Sequence, residues 1–148
     1  MERKQLYFED VEEGMEIPTL VKEPTTRQLV MWAGATEDYA EIHYDKDVAL
    51  KNKLPSVIVH GRLKAAWLIQ LLTDWIGDEG IVRKFSCTYR GIDVPGQKVY
   101  CKGRVTKKYV KDDEHCVECE VWIENEKGEK TTPGSALVIL PSRKKEGE

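Results

Sequence analysis

The segment from residue 36 to residue 61 holds the side chains of this chain that are best suited to acid–base chemistry. Asp38 and His43 lie five residues apart, and His60 and Gly61 open a strongly apolar run. A helix end followed by a short turn can aim such a carboxylate and imidazole at one point, where they would share a water and move its proton. A pair of this kind suits adding water to an activated double bond, or removing it.

Gly61 is a candidate for a second requirement, a donor to an oxygen that gains negative charge. A glycine that begins a helix leaves backbone N–H groups bare at the end where the helix dipole favours an anion. Gly61 could also be a steric necessity at a crowded helix start, which is compatible with the donor role. His60 could instead cap or pack the helix. The side chains that we predict to contact substrate are Tyr39, Tyr44, Val59 and His60, with the two tyrosines as walls and not acids.

The stretch from Trp32 to Asp45 resembles the hydratase signature of the MaoC-like, or (R)-specific enoyl-CoA hydratase, family, which is roughly Gly-Asp-x-Asn-Pro-Ile/Leu-His-x-Asp. Asp38 and His43 match the acid and the histidine of that signature. The similarity extends from about Tyr7 to Pro141. It includes three further segments, Tyr7 to Gly14, Val59 to Leu63 and Val94 to Gln97.

Three positions depart from the signature: Glu37 replaces Gly, Ala40 replaces Asn and Glu41 replaces Pro. The family Asn helps to hold the loop and the water, whereas Ala40 has no side-chain hydrogen bond to offer. The loss of this side chain therefore leaves open a weaker or altered activity. Glu41 could replace the lost polar group or point into solvent. We favour solvent, because a second acid beside Asp38 would raise the pKa of both carboxyl groups.

The resemblance implies a hydratase or dehydratase of acyl metabolism. Its substrates would be 2-enoyl and (R)-3-hydroxyacyl thioesters of coenzyme A or an acyl carrier, with no metal and no redox cofactor. Asp38 and His43 would exchange the protons, and which of them is the base stays open. The family also implies a dimer, with a second copy or a related chain as the partner and the thioester in the groove between protomers. An exposed sheet edge independently favours a partner.

Two alternatives remain open at this stage. A thioesterase of the same fold would use a carboxylate on or near the central helix, but no acid lies within residues 61–73. A non-catalytic subunit paired with an active relative would explain the altered signature. The retained Asp38 and His43 count against it.

Composition agrees with one domain over residues 1–148, ordered from about 7 to 141, with a disordered charged tail from Ser142 to Glu148. The 23 basic and 26 acidic residues give a net charge of −3, so nucleic acid is not an expected partner. No stretch is long and apolar enough for a membrane span, and the N-terminus shows no signal-like region. A cytoplasmic location without membrane contact is expected.

The order of apolar patterns predicts an α+β hotdog fold, an antiparallel sheet wrapped around one long helix. The helix from Gly61 to about Ile76 is apolar around most of its circumference, which is typical of a buried helix. Thr25 or Thr26 should cap an earlier helix, and Asp45 to Lys51 should contain a short one. The predicted extended segments are Tyr7 to Val11, Glu16 to Lys22, and four strands of an antiparallel meander, at 81–89, 98–110, 115–123 and 130–140.

A Cys-x-x-Cys pair at Cys116 and Cys119 could form half of a zinc site or a redox motif. It lies in a predicted strand, where residues three apart point to opposite faces. The two thiols would then not converge on one metal. We therefore expect free cysteines and no metal site.

Overall fold

A five-stranded antiparallel sheet forms the frame of the molecule, as seen in a computed structural model that describes residues 4–144. Its strands are β1 (Glu16–Lys22), β2 (Ile81–Cys87), β3 (Val99–Lys111), β4 (Glu114–Glu124) and β5 (Lys130–Leu140). The helices are α1 (Thr26–Thr36), α2 (Lys46–Lys51) and α3 (Gly61–Ile76). Single 3-10 turns occur at Phe8–Asp10 and Glu41–His43.

The strand order is β1-β3-β4-β5-β2, so only three of the four predicted meander strands are sequential neighbours. β2 pairs with β5, from Ile81 opposite Ile139 to Cys87 opposite Gly134. The connections explain this difference. Two residues between β3 and β4, Asp112 and Asp113, have φ values of 51° and 62°, which suit a tight hairpin. Residues 88–98 are a much longer connection, which lets the chain cross from β2 to β3 at the other side of the sheet.

Helix α3 lies against this sheet and contributes more buried residues to the core than any other described element. It begins at Gly61 and ends at Ile76, as predicted from its apolar pattern. Its buried apolar side chains are Leu63, Trp67, Leu68, Leu71, Leu72 and Ile76. They pack in one cluster with inward-facing strand residues such as Val105, Val121 and Val138. The sheet wrapped around one helix is the predicted α+β hotdog arrangement.

One prediction near the N-terminus is wrong. The segment Tyr7 to Val11 is not a strand, because the carboxylate of Asp10 accepts a hydrogen bond from the backbone N–H of Tyr7 at 3.0 Å and closes a 3-10 turn. At the other end of the chain, the first residues of the predicted tail make contacts with this turn. Arg143 binds Asp10 with both guanidinium nitrogens, and the Ser142 hydroxyl donates to Glu9. The rest of the predicted tail, residues 145–148, lies outside the described residues.

Within residues 4–144, no helix has the length and apolarity needed to cross a membrane.

The four cysteines are free thiols. Cys101, Cys116 and Cys119 are buried in the sheet. Burial raises the pKa of Cys101 and of Cys119 to about 12, so both remain protonated at neutral pH. In the described part of the chain, no group of potential metal ligands includes a cysteine.

Candidate active site

Asp38 reaches the site because the chain reverses at the end of α1. Glu37, the residue that ends the helix, has φ 57° and ψ 25°, a left-handed conformation that is unusual for a residue with a side chain. Asp38 follows in a short loop and is half-buried. Its Oδ1 accepts a hydrogen bond from the backbone N–H of Ala40 at a long distance, 3.5 Å. The carboxylate is therefore near the site but weakly held.

His43 is held more firmly. It ends the 3-10 turn Glu41–His43 and is only 8% exposed. Its Nδ1 lies 2.7 Å from the carbonyl oxygen of Ile58. Because a carbonyl oxygen only accepts, Nδ1 carries the proton, and the Nε2 of the neutral ring is left as an acceptor. Glu41 points into solvent, as predicted.

His60 lies beneath His43 and is 1% exposed. The two imidazole rings stack with centroids 3.8 Å apart and planes 19° from parallel. Neither ring nitrogen of His60 has a partner at full hydrogen-bond geometry among the described residues, although the Asp38 backbone lies close enough to favour the protonated ring. Burial, followed by the nearby His43, lowers the pKa of His60 from its ordinary value of 6.5, while the charge and backbone of Asp38 oppose that shift. His60 is therefore neutral at pH 7.

The structure brings Asp38, His43 and His60 together. One ligand atom from each lies within 4.8 Å of the other two, as the sequence predicted for Asp38 and His43. The same three groups are the metal ligands that the described residues could offer. The stacking argues against a metal. Imidazole lone pairs lie in the ring planes, and two nearly parallel planes do not let them converge on one tetrahedral ion. A water, whose hydrogen bonds tolerate wider angles, suits Asp38 and His43 better.

Gly61 is the first residue of α3, directly beside this cluster. The His60 side chain does not cap the helix, so the first N–H groups remain directed out of its N-terminus. The ring of Tyr89 covers Gly61 so closely that a Cβ there would come within 2.8 Å of it. The steric reason for glycine is therefore real, and it coexists with the predicted donor role.

A buried ion pair that was not predicted from the sequence lies one turn further along α3. Lys64 Nζ lies 3.1 Å from Asp93 Oδ2 and donates to the Gly91 carbonyl at 3.0 Å. Asp93 also accepts from the Thr131 hydroxyl at 2.7 Å, and its carbonyl accepts from the Val59 N–H at 2.8 Å. One signal could have found the pair, because a lysine on the buried side of a largely apolar helix requires a buried partner.

The remaining predicted contact residues occupy different environments. Tyr39 and Tyr44 are 60% and 41% exposed, and the Tyr44 hydroxyl donates to the Tyr39 carbonyl at 2.8 Å. They form an exposed wall near the Asp38 loop. Val59 is 3% exposed and belongs to the core, so it lies beneath the site with His60 and not at its surface.

A depression of about 790 Å³ lies elsewhere, across β2, β5, β4 and β3. Its lining includes Arg83, Ser86, Tyr109 and Ser135 and none of the clustered acid and imidazole groups. Volume alone therefore does not identify the site. The acid and the imidazoles that meet beside a helix N-terminus mark the candidate site instead.

The chain is similar in sequence and in fold to known proteins. The profile of the MaoC-like domain family matches residues 10–127. No protein among those with curated functional descriptions matches the chain. Among solved structures, an (R)-hydratase from A. caviae involved in PHA biosynthesis is 25% identical and has a TM-score of 0.80. That match covers 88% of this chain and 98% of the hydratase.

Two further solved structures share the fold at lower identity. The R-hydratase PhaJ1 from Pseudomonas aeruginosa is 19% identical with a TM-score of 0.84, over 94% of this chain and 88% of that one. A chain of the ChsH1-ChsH2 complex from Mycobacterium tuberculosis is 20% identical with a TM-score of 0.77, over 87% and 98%.

Proposed function

Because this chain belongs to the MaoC-like domain family, we propose that it adds water to 2-enoyl thioesters and, in reverse, dehydrates 3-hydroxyacyl thioesters. The observation that carries the proposal is the approach of Asp38 and His43 to within 4.8 Å beside the N-terminus of α3. The (R)-hydratase from A. caviae, at 25% identity, supports the same reaction class.

The thioester carbonyl would lie at the N-terminus of α3. An enoyl thioester reacts at its β-carbon only when its carbonyl oxygen is stabilised as an enolate. The backbone N–H of Gly61 and the helix dipole would supply that stabilisation.

Asp38 and His43 would hold and activate the water. Water oxygen bonds to the β-carbon, the electrons of the double bond move onto the carbonyl oxygen, and one water proton passes to the base. The enolate then collapses as the α-carbon takes a proton from the acid–base pair, so the pair returns to its starting state. The acceptor Nε2 of His43 and the carboxylate of Asp38 are both able to take the first proton.

We propose that the acyl group is carried as a thioester of coenzyme A or of an acyl carrier, and that the chain uses no metal or redox cofactor. The stacked imidazoles support this, because their geometry suits proton transfer and not metal coordination. We propose that the length of acyl chain that the site accepts depends on the residues that border it, including Trp32 and the segment 54–58.

The sheet supports a dimer. β2 is an edge strand whose outer side has no neighbour among the described strands, and its Ile81 is 52% exposed. One side of α3 is only half-buried, with Ala65, Ala66, Ile69, Gln70 and Thr73 along it. We propose that a second copy covers both surfaces, joining the two sheets and placing the thioester between protomers. Sedimentation at micromolar concentration tests this, and a folded, active monomer would contradict it.

A second candidate is a hydratase that needs a different, related chain as its partner. The altered positions Ala40 and Glu41 favour it, since they weaken the signature that surrounds Asp38. An inactive or aggregating pure chain that gains activity with a related chain would support this alternative over the homodimer.

The decisive assay uses the purified chain with crotonyl-CoA and longer enoyl-CoAs. Loss of the conjugated enoyl thioester absorbance without release of free thiol indicates hydration. Release of free thiol indicates thioester hydrolysis and would contradict the proposal. The product stereochemistry, measured with an (R)-specific 3-hydroxyacyl-CoA dehydrogenase, tests the (R) assignment.

A further inference from the structure

Asp38 and His43 are held very differently. His43 has a 2.7 Å hydrogen bond from its ring to the Ile58 carbonyl. The carboxylate of Asp38 has a 3.5 Å contact with the N–H of Ala40, and the methyl side chain of Ala40 adds nothing to it. A group that exchanges protons with substrate must be oriented as well as near. The described contacts do not orient Asp38.

The donor that could orient it is already next to it. Both ring nitrogens of His60 are sealed from solvent and lack a partner at full hydrogen-bond geometry among the described residues, with only the backbone and charge of Asp38 favouring the protonated ring. A buried polar group without a good hydrogen bond costs free energy. One of these nitrogens lies within 4.8 Å of the Asp38 carboxylate. Closing that distance to a normal hydrogen bond needs a movement of at most about 2 Å, which rotation of the half-buried aspartate side chain can provide.

We infer that His60 is a positioning residue for Asp38, donating its ring N–H to the carboxylate when substrate closes the site. The inference rests on the proposed hydration. The stack on His43 fixes the plane of the His60 ring, so one stack orients both members of the acid–base pair. Because His60 is neutral at pH 7, it keeps one donor and one acceptor nitrogen. The titratable groups that face it are His43 and Asp38.

His60→Phe removes the donor and keeps a ring for the stack, whereas His60→Asn keeps a donor and removes the ring. We expect His60→Phe to lower kcat for crotonyl-CoA by about tenfold or more with KM changed little, since misplacing a reacting group costs rate more than binding. His60→Asn, which keeps a donor but loses the stack on His43, should retain a larger share of kcat than His60→Phe. His115→Phe is the matched control, because His115 packs edge-on against Phe8 away from the site.

A second substitution tests whether His60 acts by orienting Asp38. Ala40→Asn offers Asp38 a new side-chain amide, so it should restore part of the kcat lost in His60→Phe while changing the wild type little. If His60→Phe does not fold, His60→Leu gives the same loss of donor in a smaller side chain. Wild-type kcat in a folded His60→Phe or His60→Leu would overturn the inference.

A measurement without turnover separates this inference from the proposed function. Nitrogen NMR of the histidine rings follows the titration of His60 in the wild type and in Asp38→Asn. We expect the pKa of His60 to fall in Asp38→Asn, with a changed ring nitrogen shift. No change at His60 would overturn the inference. If the pKa of His60 does fall in Asp38→Asn but the wild type hydrates no enoyl-CoA, the proposed reaction is overturned and the inference about His60 is not.

Discussion

Lys64 and Asp93 form a salt bridge of 3.1 Å in which each side chain is 2% exposed, one helical turn beyond the start of α3. The bridge ties the central helix to the 88–98 connection, and the Thr131 hydroxyl ties it to β5. Tyr89, in the same connection, lies over Gly61. The pair thus fixes the surroundings of the proposed oxyanion donor, although the described hydrogen bonds of its two charged groups do not reach the side chains of the acid and imidazole cluster.

Breaking this bridge should destabilise the protein strongly. Lys64→Met leaves a buried carboxylate without its cation, so we expect a loss of about 3–5 kcal/mol in the free energy of unfolding, and Lys64→Met/Asp93→Leu should recover much of it. Urea unfolding measures both. The exposed pair Lys98 and Glu23, 3.3 Å apart, is the matched control, and Lys98→Met should cost about 0–1 kcal/mol. Similar losses of stability for Lys64→Met and Lys98→Met would contradict the conclusion that the buried bridge is the stronger of the two pairs.

Removing either proton-exchanging group should abolish most hydration. We expect Asp38→Asn and His43→Ala each to lower the rate with crotonyl-CoA by about 10²-fold or more, because general acid–base groups contribute about 10²–10⁴. Circular dichroism should show an intact fold. Asp47→Asn, a change at an exposed acid in α2, is the control and should keep normal turnover. Near-normal rates in both site variants would place the chemistry elsewhere.

A methyl group at Gly61 should affect activity more than stability. In Gly61→Ala the new Cβ would approach the Tyr89 ring to 2.8 Å, so the half-exposed ring must move away from the helix start. We expect kcat to fall about tenfold or more, since donors displaced from the oxyanion lose much of their effect. Alanine favours the helix, so the melting temperature should not drop. Gly61→Ala in a Tyr89→Ala background tests the cause, because there the ring no longer competes with the methyl.

The buried His60 should make the protein less stable in mild acid. Its pKa is lowered in the folded state, so as pH falls through about 6.5 the unfolded chain binds a proton that the folded chain does not. Stability is therefore lost as pH decreases from about 8 towards about 5. His60→Asn should flatten this slope, and His115→Asn should not. Glu9, whose pKa is lowered to about 2, changes the stability only at lower pH than this window, so the two effects are separate.

Glu37→Gly should stabilise the chain. Glu37 has φ 57°, a conformation that glycine adopts without a steric penalty, so we expect a gain of up to about 1 kcal/mol in the free energy of unfolding. Gly34→Ala, in the middle of α1, provides a contrasting gain from helix propensity alone, because nothing lies within 4 Å of the position that the new Cβ would take. A loss of stability in Glu37→Gly would show that the glutamate side chain holds the helix end.

The sequence was most informative where function and fold depend on nearby residues. The bounds of α3 follow from its apolar run and the glycines around it, and Thr25 caps α1 through its hydroxyl, as predicted. The approach of Asp38 to His43 depends on one helix end and one turn. All of these are local in the chain, so spacing and residue type suffice.

The failures involve partners far apart in sequence. Lys64 meets Asp93 across 29 residues, and β2 finds its partner in β5 and not in the next strand along the chain. Neither periodicity nor composition specifies which distant segments meet. The 3-10 turn at Phe8–Asp10 was missed for another reason, since a single side chain, that of Asp10, overrides the extended preference of its neighbours.

The strand order also determines how the protein must be made. During synthesis β2 emerges directly after α3, but β5, its partner among the described strands, is the last of them to leave the ribosome. Until then β2 exposes both of its edges, together with Ile81, Val82 and Phe85. A nascent chain stalled before Lys130 would expose an unpaired strand that can pair with other chains. The yield of folded protein should therefore depend on how quickly the hairpin of β4 and β5 is completed.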